Sequence, residues 1–524
     1  MRGLRRGLVV LWAAALAGLV APPIDAAVSP ADRAIGLAEL KLRRNPYDAA
    51  GYFRLGDGYI QKARETGDAT HWARAEQALR TALALAPDYA AAHRHLGYVL
   101  YSRHEFSAAM AAATRAIELH PSDGHAYGIL GDAQLEVGQY EQAESTYRKM
   151  KARHDDLYAY GRLAGLKTLR GDPRGAIRLL ERAVDEGRKA GRPRESIAWA
   201  EWQLGIEHFA IGNLSAAEAR HRASLAVYPS YHRALAGLAQ VRAARDDFAG
   251  AIELYAKAIA IVPLPEYATA LGDVYTTVGQ PEAARQQYDL VEYIGRLSAL
   301  NQVLYNRELA LFYADHDLKL DEALQLAQKE LEVRRDIYAW DLLAWVRYKR
   351  GELPEARAAL CEALKLGTVD ARLFFHAGLI HLALGETRLA KSYLQRALST
   401  NPRFHVLHAA QAERALGTAV AANSSERAST ASSETSPRNR IAPAWQSEAS
   451  RRRAEPPIPR SCEASRQFEP NAGREAAVRG AAEGQPSLRF RDQAKPSAAR
   501  GEARIDRAEP PIPKSAPRTA GKRR

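Results

Sequence analysis

Ten alanines recur along the first 400 residues at near-constant spacing: Ala75, Ala109, Ala143, Ala176, Ala217, Ala251, Ala284, Ala323, Ala356 and Ala390. Successive separations are 34, 34, 33, 41, 34, 33, 39, 33 and 34 residues. A period of this length commits the chain to stacked supersecondary units, because a segment of about 34 residues cannot bury its apolar face alone. The two longer separations require only insertions between helices.

Further anchors keep the same phase. Twelve residues before most of these alanines stands a small residue, usually after leucine, as in Leu96-Gly97, Leu130-Gly131, Leu163-Ala164, Leu204-Gly205, Leu238-Ala239, Leu271-Gly272 and Leu343-Ala344. Twelve residues after the alanine stands proline at Pro87, Pro121, Pro229, Pro263 and Pro402. On these residues the chain resembles the tetratricopeptide repeat family. The resemblance spans Tyr52 to Pro402 in ten units and implies an all-α α-solenoid, a superhelix of antiparallel helix pairs. A half-unit from Ala31 to Arg43 precedes it, and a closing helix from Arg403 to Ala422 follows it. The domain boundaries read as a signal peptide over 1–26, the solenoid over 28–422 and a tail over 423–524.

The residue types have physical reasons. Apolar residues at i, i+3, i+4 and i+7 give each helix one buried face. Glycine or alanine at the anchors lets the two helix axes of a unit approach closely. Proline marks the joint between units, since it suits a first helical turn but not a helix interior. Gly138, Gly171, Gly212, Gly279, Gly351 and Gly385 supply left-handed helix caps. Extra residues stand around Glu65 to Thr70 and from Asp185 to Glu195, and Met150 and Glu330 occupy places where small residues are expected. The eighth unit carries a charged turn, Asp315 to Asp321, in place of glycine.

The resemblance implies a concave face lined by the first helix of each unit, and therefore a groove that binds a protein or peptide. Mapping its lining positions gives Phe53, Arg94, Tyr98, Tyr101, Tyr158, Arg162, Trp199, Trp202, Phe209, Tyr338, Trp345, Tyr348, Arg372 and Phe375. Arg54, Arg233 and Asp341 lie on or beside them. Rings bury area at low entropic cost and guanidinium groups grip carboxylates, so the set suits an extended segment of a partner. The same helical spacing also fits inter-unit core. The Lys and Asn clamp by which chaperone-binding relatives hold a terminal carboxylate is absent, because its places hold Phe53, Asp57, His95, His125 and Ile129.

The sequence shows no catalytic constellation, cofactor motif or metal-binding motif. Asp315, Asp317 and Asp321 lack the glycine and the final carboxylate of a calcium loop. His93, His95 and His104, like His405 and His408, lack the spacing of a zinc site and read as surface or packing residues. There is no phosphate-binding glycine loop, nucleophile elbow or HExxH motif. Two cysteines, Cys361 and Cys462, exclude a disulfide framework and a four-thiolate zinc site.

At the amino terminus, Arg2, Arg5 and Arg6 precede an apolar run from Leu8 to Val20 that ends in Pro22 and Pro23. This pattern predicts a secretory signal cleaved after Ala26, hence an exported protein, periplasmic or secreted, without a transmembrane segment after cleavage. The 102-residue tail has 12 of the 26 prolines and 13 serines, a composition that predicts disorder. It repeats RAEPPIPRS at Arg453–Ser461 as RAEPPIPKS at Arg507–Ser515, a spacing suited to bivalent polyproline ligands or to a duplicated tract with no partner. Cys462 beside the first copy offers a thiol for cross-linking.

Nine of the thirteen net positive charges lie in the tail, which carries 21 Lys and Arg against 12 Asp and Glu. The near-neutral body gives no basis for specific nucleic-acid binding, whereas the tail is suited to an anionic surface. Two functions remain: a non-catalytic interaction scaffold of the cell envelope or secreted space, and an accessory module for assembly or export of an envelope polymer.

Overall fold

Neighbouring units pair first helix against first helix along the whole array, and this contact sets the inner surface of the molecule. A computed structural model of the chain describes residues 29–300 and 306–433, all within the first of the chain's two units, Met1–Gln467. The first helices are α2 (Ala49–Thr66), α4 (Ala90–Ser102), α6 (Gly124–Glu136), α8 (Leu157–Leu169), α10 (Arg194–Ala210), α12 (His232–Ala244), α14 (Pro265–Thr277), α16 (Asn306–Asp315), α18 (Ile337–Lys349) and α20 (Ala371–Ala383). Their partners are α3 (Thr70–Leu85), α5 (Phe106–Leu119), α7 (Tyr140–Lys151), α9 (Pro173–Lys189), α11 (Leu214–Val227), α13 (Phe248–Ile261), α15 (Pro281–Leu300), α17 (Leu320–Val333), α19 (Leu353–Leu364) and α21 (Thr387–Thr400). α1 (Pro30–Arg44) precedes the ten pairs and α22 (His408–Ser433) follows them. The tetratricopeptide-type solenoid expected from the period is therefore present among the described residues.

Local chemistry explains the elements. Asp156, Asp172, Asp247, Asp336 and Asp370 accept backbone N–H groups at the starts of α8, α9, α13, α18 and α20, filling donors that a helix start leaves open. The anchor alanines Ala75, Ala109, Ala143, Ala176 and Ala217 are fully buried, as close helix pairing requires. Where the turn glycine is missing, His104, Asp246, Asp317 and Lys319 take the left-handed conformation instead. The Asp185–Glu195 insertion is absorbed largely by lengthening α9 and α10 to 17 residues each.

The two oversized side chains are accommodated differently. Met150 is fully buried because Gly128 faces it, and a Cβ there would stand 3.0 Å from the sulfur. Glu330 is 2% exposed and is ion-paired to Arg307 at 3.2 Å and Arg334 at 3.1 Å. A buried carboxylate survives only with such partners.

The third, fourth and fifth units also meet chain far ahead of them. The Tyr140 hydroxyl accepts the Ile337 N–H at 2.9 Å, the Thr368 hydroxyl donates to the Leu169 carbonyl, and the Asn401 side-chain amide donates to the Phe209 carbonyl at 2.7 Å. These partners are 192 to 199 residues apart, about six repeats of this length. The Glu136 carbonyl accepts the Arg335 N–H at 2.9 Å, and the Glu136 carboxylate pairs with Arg334 at 2.9 Å. Successive turns of the superhelix thus touch along their rims.

Two cap glycines serve this closure as well as the turn. Gly138 has φ +78°, and a Cβ on it would stand 2.7 Å from the Arg335 carbonyl oxygen. Gly171 has φ +71°, and its Cβ would meet the Gly367 carbonyl at 2.5 Å.

The expected end of the closing helix at Ala422 is too early, since α22 continues to Ser433. The signal segment over 1–26, the duplicated proline motif and the tail beyond 433 lie outside the described residues. Cys361 on α19 is disulfide-bonded, and the chain's other cysteine, Cys462, also lies outside them. No described helix is long and apolar enough to cross a membrane.

Gly385 shares the positive φ, at +74°, but a Cβ there meets nothing within 4 Å, so it isolates the conformational cost. Gly385→Ala is expected to cost about 1 kcal/mol from the left-handed backbone alone. Gly138→Ala should cost at least about 1 kcal/mol more, because the methyl group displaces the neighbouring superhelical turn. Urea unfolding midpoints of the two variants against the parent chain measure the difference.

Candidate partner-binding groove

The inner face is built from side chains one helix apart in the first-helix layer, so a residue on one unit reaches the next. Arg94 on α4 pairs with Asp123 at the start of α6 at 3.0 Å. Tyr101 donates to Glu136 at 3.0 Å. Arg162 on α8 grips Asp132 on α6 with three contacts of 2.7 to 2.9 Å, and Tyr147 donates to the same carboxylate at 2.8 Å. That carboxylate holds the Arg162 guanidinium above its ordinary range, and burial pushes the Tyr147 hydroxyl up.

The aromatic residues read as groove-lining divide into two sets. Phe53 is half-buried against Tyr89 and the edge of His95, with ring centroids at 5.2 and 4.7 Å. Tyr98 stands edge-on to Trp72 on α3, and Tyr158 bonds Ser196 at 3.1 Å through its hydroxyl. Trp199, Trp202, Tyr338 and Tyr348 are also half-buried, and Arg372 is exposed. Trp199 lies over Gly161, where a Cβ would stand 2.8 Å from the indole.

Phe209, Trp345 and Phe375 correct the sequence reading, because they are core. Their exposures are 6%, 1% and 0%. Trp345 stacks on His376 at 4.1 Å and donates its indole N–H to Asp315 at 2.8 Å. They occupy lining positions of the first helices, but other parts of the chain cover them. The Phe209 ring packs with Ala217 on α11 and Val241 on α12, as inter-unit core. Phe375 packs against Phe404 at 5.7 Å and stacks on His408 at 5.0 Å.

The connection from α21 to α22 therefore fills the inner face of the last units. His405 reaches Asp273 on α14 at 3.5 Å, and His316 holds the other oxygen of Asp273 at 2.8 Å. Burial lowers His405 and holds His408 far below the ordinary imidazole range. The neighbouring Asp273 has the opposite effect on His316, raising it through a hydrogen bond and charge although burial opposes this.

Two groups of functional interest were missed by the sequence reading. The first is a chain of buried and half-buried ions, Asp336–Arg307–Glu330–Arg334–Glu136, which runs from the eighth and ninth units to the third. The joint before α18, Arg334-Arg335-Asp336, carries ions where other joints carry proline, and that departure was the available signal. The second is Glu266 on the seventh unit, an uncommitted neighbour of Arg233, which the sequence reading did place on or beside the lining positions. The Arg233 guanidinium lies over the Trp202 ring at 5.2 Å, and neither Arg233 nor Glu266 makes an ion pair within 4 Å among the described residues. Water reaches Glu266, yet the surrounding protein pushes its carboxyl up to about 7.

The tetratricopeptide repeat family matches residues 60–123, 96–157, 203–264 and 342–403. These segments fall on the same helix pairs as the alanine register. The chain is a tetratricopeptide repeat protein. A search of curated proteins finds no match. Among solved structures, the human IFIT1 dimer with PPP-AAAA is similar at 16% identity over 64% of this chain and 77% of that one, with a TM-score of 0.41. Yeast Tom70 is similar at 12% identity over 76% of this chain and 93% of that one, with a TM-score of 0.34. A tetratricopeptide repeat protein from Parabacteroides merdae is similar at 17% identity over 51% of this chain and all of that one, with a TM-score of 0.30.

One buried carboxyl in this tetratricopeptide array has a readable pH signature. Glu207 on α10 is 6% exposed, accepts the Thr168 hydroxyl at 2.6 Å through one oxygen and leaves the other without a partner. Burial pushes it up to about 7 from an ordinary 4.5. A raised carboxyl stabilises the fold while protonated and loses that advantage as pH rises through about 7. Glu207→Gln keeps the neutral shape, so it should match the parent chain at pH 4 and exceed its stability at pH 8 by about 3 kcal/mol. Thermal unfolding at the two pH values distinguishes this from a pH-independent effect.

Proposed function

We propose that the protein is an exported, non-catalytic scaffold that holds an extended, carboxylate-bearing segment of a partner protein along its inner face. The carrying observation is the contrast between two kinds of inner-face charge. Arg94, Arg162, Arg307 and Arg334 are spent on carboxylates of the chain itself. Among the described residues Arg233 and Arg372 are not, and Arg233 is stacked on a half-buried tryptophan. An aromatic surface with free guanidinium donors suits a segment that offers apolar side chains and carboxylates in alternation.

The reading places the partner over the second to seventh units, on Tyr98, Tyr158, Trp199, Trp202 and Arg233, because the chain's own residues 401–408 cover the last units. Export is supported by the apolar amino-terminal run and by the disulfide at Cys361, which suits an oxidising compartment. The basic tail acts separately, as an electrostatic contact to an anionic surface.

The test uses the full chain with its signal removed, panned against a displayed peptide library. Enriched peptides should be acidic, and their affinity should fall at least about tenfold in Trp202→Ala and in Arg233→Ala, the range of a groove anchor. Enriched peptides that bind both variants as well as the parent chain would place the binding surface elsewhere. Binding of the tail to anionic vesicles should weaken steeply with salt, while peptide binding persists.

A further inference from the structure

Two histidines and an aspartate meet where the third unit joins the fourth. His125 lies in the first turn of α6, His154 in the connection after α7, and Asp156 caps α8. One ligand atom from each lies within 4.8 Å of the other two. The two imidazole rings are 4.8 Å apart, and neither forms a hydrogen bond to the protein among the described residues. Both are half-buried, so their nitrogens are reachable from solvent yet held by the fold.

The supports are specific. A Cβ at position 124 would stand 2.3 Å from the His154 ring, so glycine is what lets that ring lie beside His125. Tyr158 presents its ring edge to His125 at 5.5 Å. One oxygen of Asp156 accepts the N–H groups of Tyr158 and Ala159 at 3.0 and 3.1 Å, which orients the carboxylate. The other oxygen faces Arg192 at 3.0 Å, and Arg94 and Asp123 pair with one another next to His125.

We infer that His125, His154 and Asp156 form a binding site for a divalent metal of zinc type that staples the third unit to the fourth. Two imidazole nitrogens and a carboxylate are a zinc donor set, with a fourth position left for water. Ligand atoms around zinc lie about 3.4 Å apart, so the observed cluster closes by little more than side-chain rotation. The ion would compete with Arg192 for one oxygen of Asp156 and leave the backbone bonds to the other in place.

The experiment is calorimetric titration of the tag-free full chain with zinc chloride. One equivalent should bind, and the thermal midpoint should rise with zinc. His125→Ala and His154→Ala should each weaken uptake at least about 100-fold while circular dichroism stays that of the parent. Asp156→Asn, which keeps a capping oxygen on α8, should weaken it as well. Failure of the parent chain to take up zinc saturably overturns the site. So does uptake that is unchanged in both histidine variants.

Discussion

The contact between successive superhelical turns governs what this chain can do. A solenoid in which each unit touched only its neighbours would present an open concave face along its whole length. Here Glu136, Tyr140, Leu169 and Phe209 are met by Arg334, Ile337, Thr368 and Asn401 from about six units further on. The hydrogen bonds go largely to backbone groups at helix ends and joints, where donors and acceptors are left over by the helices themselves. Closure therefore satisfies groups that would otherwise need water, and it narrows the space inside.

That narrowing sorts the inner-face residues. Charges deep between the turns are paired, as the run from Asp336 to Glu136 illustrates, because an isolated ion there would be costly. Aromatic residues at lining positions become core wherever another stretch of chain lies over them. Trp345 and Phe375 are buried beneath residues 401–408, while Trp199 and Trp202 are not. Family position alone therefore does not distinguish a binding residue from a packing residue.

The fold was legible because its determinants are local. Alanine, glycine and proline act on helix approach and helix ends within one unit, and their spacing carries the period directly. The helix pairs appear where the register puts them, and insertions only lengthen helices. The turn-to-turn contacts were not legible, since they depend on the small rotation between units accumulated over about six of them. Gly138 and Gly385 look alike in sequence and share a conformation, yet only Gly138 faces another turn. The groove was legible as a set of positions, and the covering segment that removes Trp345 and Phe375 from it was not. His125 was noted only as a residue that breaks a known clamp, because its neighbours His154 and Asp156 lie in the next joint.

The six-unit interval also limits how such a chain can change in length. Repeat arrays ordinarily gain and lose units readily, because each new unit needs only its immediate neighbours. In this one, deleting a single unit between Tyr140 and Ile337 would leave Tyr140 facing the wrong part of a later repeat and would shift every rim contact beyond it. The array behaves like a thread with a fixed pitch, in which the number of units between two rims is as constrained as the residues that form them.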